Sequence, residues 1–71
     1  MKGLVVRIAG TDKEKILEAI EDLVKEIKLG TQNCRTPDNG QGWEVDYDLI
    51  DLKANNSDDA IDEMVELERK L

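Results

Sequence analysis

From Trp43 to Leu49 the chain reads Trp-Glu-Val-Asp-Tyr-Asp-Leu, a strict alternation of apolar and acidic side chains. Period-two alternation marks a half-buried β-strand, because successive side chains point to opposite faces of a sheet. Trp43, Val45, Tyr47 and Leu49 therefore share one face, and Glu44, Asp46 and Asp48 the other. Carboxylates two residues apart on a strand stand about 6.6–6.8 Å from each other. The segment thus needs a sheet with one covered face and one open face, and it lays a ladder of negative charge on the open one.

The remaining elements follow from the same kind of patterning. Gly3 to Ala9 is a β-branched run that reads as a first strand, with Leu4, Val6 and Ile8 on one face. Gly10 ends it, and Thr11-Asp12-Lys13-Glu14 has the form of a capping box. Ile16, Ile20, Leu23 and Ile27, with Leu17 and Val24 beside them, form a helical stripe to Leu29, and Gly30 suits the stop. Thr31 to Arg35 reads as a short second strand, because twelve unstructured residues would be unusual in a domain this small. Pro37-Asp38-Asn39-Gly40 carries turn chemistry, with Asn-Gly favouring the positive φ angles of a hairpin.

The third strand should run from Gly42 or Trp43 to Leu52. Its alternation slips at Leu49-Ile50, and a bulge there would return Ile50 and Leu52 to the core and turn Asp51 outward with the other acids. Asn55, Asn56 and Ser57 offer N-caps for a second helix that buries Ala60, Ile61, Met64, Val65 and Leu71. The expectation is one α+β domain over residues 1–71. It has the order β-α-β-β-α, with a three-stranded mixed or antiparallel sheet and both helices on one face.

Charge and composition limit the function. The 71 residues carry a net charge of −7, with no histidine and a single cysteine, Cys34. Residues 1–30 balance six bases against six acids, whereas residues 31–71 set four bases against eleven acids and hold the whole net charge. Direct binding to nucleic acid needs clustered Lys and Arg and is disfavoured; an acidic half suits a basic protein instead. No intrachain disulfide can form, and no metal is implied to support so small a core, so homo-oligomerisation is the expected remedy. The opening residues do not read as a signal peptide and no segment would span a bilayer, which is the pattern of a cytoplasmic protein.

Enzyme chemistry has little to work with. Without histidine there is no Ser-His or Cys-His pair and no common transition-metal site. Glu44-x-Asp46-x-Asp48 lies on a strand and lacks the glycine and bidentate glutamate of a calcium loop. The glycines have no phosphate-binding spacing. A non-enzymatic chain without a cofactor is expected.

Two acidic surfaces are candidates for docking a partner: Glu44, Asp46, Asp48 and Asp51 on the sheet, and Asp58, Asp62 and Glu66 at i, i+4 spacing on the second helix. Trp43 and Tyr47 read first as core. The rival reading has Trp43 join Asn33 and Arg35 in a small-nucleotide pocket at a subunit interface, where an aromatic ring stacks on a base and the arginine meets phosphate.

The run from Leu23 to Tyr47, with its helix ending Lys25-Glu26-Ile27-Lys28-Leu29-Gly30 and its Asn39-Gly40-Gln41-Gly42-Trp43-Glu44-Val45, resembles small accessory proteins of phages, prophages and plasmids of Gram-positive bacteria. Asn33-Cys34-Arg35 departs from the glycine and aromatic those proteins tend to carry, and the second helix has no counterpart. The resemblance implies a mobile-element accessory protein in a bacterial host cell and supplies no catalytic residue. The expected function is to inhibit or mask a basic protein partner, as phage anti-defence or immunity proteins do. The alternatives are an oligomeric sponge for a small nucleotide signal, or a structural assembly protein.

Overall fold

The computed structural model describes residues 1–70 and has the elements β1 (Lys2–Gly10), α1 (Lys13–Lys28), β2 (Asn33–Thr36), β3 (Trp43–Asp51) and α2 (Ser57–Arg69). The fold is α+β, with an antiparallel three-stranded sheet in the order β1-β3-β2. The long alternating strand is thus the central one. Its Val45 and Tyr47 are only 2% and 3% exposed. They pack with Ala19 and Leu23 of α1, and Val6, Ile8, Ile27, Cys34 and Trp43 close around them. Cys34 is therefore a packing residue of the α1 layer.

α1 is capped at both ends by its own sequence. Asp12, in extended backbone, is the N-cap, and its carboxylate accepts the Lys15 N–H at 3.0 Å. The box expected from Thr11 does not form: the cap falls one residue later with Lys15 at N3, and the Thr11 N–H donates to the Gly42 carbonyl at 2.9 Å. At the far end Gly30 takes φ 90°, its N–H donates to Ile27 O, and the Thr31 N–H donates to Glu26 O. That is a Schellman motif, and Gly30 is where the left-handed residue falls.

Two expectations about the second half are corrected. The β1–β3 ladder runs without interruption from Lys2↔Asp51 to Gly10↔Trp43, so there is no bulge at Leu49-Ile50. Uninterrupted alternation carries Asp51 to the α1 side of the sheet, where it pairs with Lys2 beyond the helix, and carries Ile50 to the other side. Ile50 is covered there. A Cβ built on its neighbour Gly3 would stand 3.0 Å from Met64 Sδ of α2 and 3.3 Å from Ile50 Cγ1. The helices therefore lie on opposite faces, not on one: α1 covers the Val45 and Tyr47 side, and α2 meets the acidic side at its Gly3–Ile50 end. The slip in the pattern reflects a change in which face is covered, and the backbone pays no extra residue for it.

α2 starts at Asn56, whose side chain accepts the Asp59 N–H at 2.9 Å. Ala60 is its buried residue, with Met64 half-buried, while Ile61 and Val65, expected inside, are exposed. Leu71 lies outside the described residues. No helix among the described residues is long and apolar enough to cross a membrane.

Candidate functional site

The acidic ladder is where alternation places it, but it does not stand alone. Arg7 of β1 and Arg35 of β2 both pair across from Asp46 in the register. Arg7 reaches Asp46 at 3.8 Å, and Arg35 reaches two residues along the strand to bind Glu44 at 2.9 Å. Asp48 stands opposite Val5 and Asn33, and among the described residues no cation comes within ion-pairing distance of it. Three carboxylates on this face thus meet two guanidinium groups, which leaves one unanswered negative charge among them. Like-signed neighbours on one strand are stabilised here by opposite charges on the two flanking strands.

Glu44 also organises the β2–β3 connection. It accepts the Asp38 N–H at 3.3 Å. Asp38 in turn accepts the N–H groups of Gly40 and Gly42 through Oδ1, at 2.9 and 3.2 Å. The Gln41 amide donates to the carbonyls of Pro37 and Trp43. Gly40 and Gly42 have positive φ but Asn39 does not, so the segment is a longer side-chain-bonded loop and not an Asn-Gly hairpin turn.

The Arg35 side-chain hydrogen bond, then the Asp38 N–H, hold the Glu44 carboxyl below its ordinary range; Lys2 does the same to Asp51. A lowered folded-state value means that this stabilisation is present above the ordinary carboxylate range and is lost as pH falls through the folded value. The Glu44 carboxyl carbon followed by NMR should titrate below the value of a peptide glutamate, and the Asp38 N–H should lose its bonded shift in the same step. A Glu44 midpoint at or above the peptide value would show that the contact is absent in solution.

On α2 the charges are arranged differently. Asp58, Asp62 and Glu66 project from the side away from Ala60, at i, i+4 spacing. Glu66 meets Arg69 at 3.4 Å, and among the described residues Asp58 and Asp62 have no cationic partner. Ile61 and Val65, on the border of this stripe, are 60% and 41% exposed. Glu63 is occupied otherwise, its carboxylate accepting the N–H groups of Lys53 and Ala54 at 3.0 Å and fastening the β3–α2 connection. That role was not read from sequence, since nothing in the spacing of Lys53 and Glu63 brings them together.

The residues suggested for a ligand pocket are not assembled within one chain. Trp43 packs against the α1 core, whereas Asn33 and Arg35 pair with Asp48 and Asp46 and so belong to the opposite face. Asn33 and Arg35 instead border an open groove of about 710 Å³ between the sheet and α2, which has Val5 and Ile50 in its floor and Met64, Leu67 and Glu68 along α2. No group of His, Cys, Asp and Glu among the described residues is placed to hold a metal ion. Comparison with family models, with curated proteins and with solved structures finds no match for this chain.

Proposed function

We propose that this chain is a small non-catalytic binding protein that inhibits or masks a basic protein partner, and that it docks through the outward side of α2. The supporting observation is the exposure of Ile61 and Val65 beside the unpaired carboxylates of Asp58 and Asp62. Apolar side chains supply contact area that excludes water, while the adjoining carboxylates steer and orient a cationic surface. The sheet acids Glu44, Asp46 and Asp48 are the weaker candidates, because Arg7 and Arg35 already answer two of them. Phage anti-defence factors and immunity proteins are the type of protein that works in this way.

The test is affinity for the basic partner isolated from the host, measured at low and high salt with two variants. Asp58→Lys/Asp62→Lys should weaken binding by about 100-fold or more, through lost attraction and new repulsion. Asp46→Lys should change it by less than about tenfold. The helix variant should keep its fold, at a cost of about 0.3–1 kcal/mol for placing a cation near the N-terminal end of α2. Binding that ignores salt would remove the electrostatic reading. Loss of binding on Asp46→Lys alone would move the docking surface to the sheet.

A further inference from the structure

The chain exposes more surface than its size requires. A monomeric protein of 8.0 kDa exposes about 4,450 Å² by the general size scaling, whereas this one exposes 5392 Å². Its radius of gyration is 13.6 Å, against about 11 Å for a compact domain of 71 residues. The excess, about 900 Å², is close to the roughly 800 Å² that each partner gives up in a standard interface.

The two edges of the sheet are unequal. β2 is four residues long, carries Asn33 and Arg35, and is followed by Pro37, so it is a short and polar edge. β1 is nine residues long and, as an end strand of the sheet, has no strand on its outer side among the described residues. It carries two charges, Lys2 at its start and Arg7, and its run from Gly3 to Val6 has none; it has no proline and no bulge. Long apolar edges without such protection recruit another strand.

α1 is exposed on the same side. The Thr36 hydroxyl donates to Asp22 at 3.2 Å, which turns the Asp22 flank of α1 toward β2. At 100° per residue, Leu17, Ile20 and Val24 fall on the opposite flank, above β1. They are 51%, 39% and 45% exposed. An unpaired strand edge and an apolar helix flank thus face one direction.

We infer that this side is a self-association surface, in which β1 pairs antiparallel with β1 of a second copy and the α1 flanks pack across the two-fold axis. The spacing fits. α1 rests on β1 and β3 about equally, so its axis lies about half a strand spacing inside β1, and the two-fold axis of a continued sheet lies half a spacing outside. With strands about 4.8 Å apart the two α1 axes are separated by about 9.6 Å, within the 8–10 Å range of packed helices. The charge fits as well. Residues 1–30, which form this side, have no net charge, and the −7 of residues 31–71 is carried elsewhere. The pairing is self-complementary and closes at two copies, giving a six-stranded sheet with β2 strands at its ends and leaving the outward side of α2 free.

Sedimentation equilibrium tests this. The wild-type chain should have a mass of about 16 kDa, twice its 8.0 kDa, at about 100 µM, where a micromolar dimer is nearly complete. Ile20→Lys/Val24→Lys should raise the dimer dissociation constant at least 100-fold with an unchanged circular dichroism spectrum. Ile61→Glu/Val65→Glu on α2 should leave the dimer intact. A wild-type monomer at that concentration, a dimer unaffected by the α1 substitutions, or a dimer broken by the α2 substitutions would each overturn the assignment. Hydrogen exchange on the wild-type chain decides the matter without a variant: β1 amides should slow as concentration rises, and a β1 that exchanges identically at all concentrations would overturn it.

Discussion

Tyr47→Ala should cost about 3–5 kcal/mol, the usual range for truncating a buried aromatic. Total stability for a 71-residue chain is about 4–11 kcal/mol, so the variant should lose about a quarter or more of it. The reason is position. Tyr47 is on the central strand, buried under α1, and pairs with Val6 on one side and Cys34 on the other. Its hydroxyl also donates to the Thr31 carbonyl at 3.1 Å, tying the end of the α1–β2 connection to the sheet. Tyr47→Phe isolates that bond and should cost about 1 kcal/mol. Urea denaturation measures both, and equal midpoints for the two variants would show that the ring is not the anchor.

Gly3→Val should be the most damaging change on the other face, at about 1–3 kcal/mol for an overpacked contact. A Cβ at Gly3 would stand 3.0 Å from both Leu52 Cδ1 and Met64 Sδ. Those atoms are the ends of flexible side chains, so Gly3→Ala is accommodated by small shifts and should cost less. A branched side chain removes that option and forces α2 away from the sheet. The expected signature is local: α2 amides lose protection from hydrogen exchange while those of β3 and α1 keep it. Uniform loss throughout the chain would mean that α2 docking and the sheet core are one cooperative unit.

Much of this architecture is legible in the residues. Alternation in Trp43–Leu49 places β3, and the helical stripe from Ile16 to Ile27 with its stop at Gly30 places α1, each to within a few residues. The order of elements is legible for the same reason, since each signal is local. What is not legible depends on relations between distant segments. Period two assigns Ile50 to one face, but only the return of α2 makes that face apolar at its end, and a bulge was the local solution to a tertiary fact. The acids Glu44 and Asp46 look unmixed in sequence because their arginines sit 9 residues before Glu44 and 39 before Asp46; register alone brings them together. Trp43 and Arg35 were grouped by proximity along the hairpin, yet their strand parity places them on opposite sides of the sheet.

The strand order also dictates how the molecule must come together. β2 and β3 pair between residues 9 to 15 positions apart, whereas β1 and β3 pair across 33 to 49. Closing the longer connection costs more chain entropy before any contact returns it, which slows folding relative to a helical bundle of the same length. The expected sequence of events is α1 and the β2–β3 hairpin first, then capture of β1 along the open side of β3. During synthesis β1 emerges first and waits longest, because its partner strand is complete only once Asp51 has left the ribosome. The most apolar strand of the chain is therefore the one that spends longest unpaired, and co-translational chaperone contact or premature association of nascent chains should concentrate there.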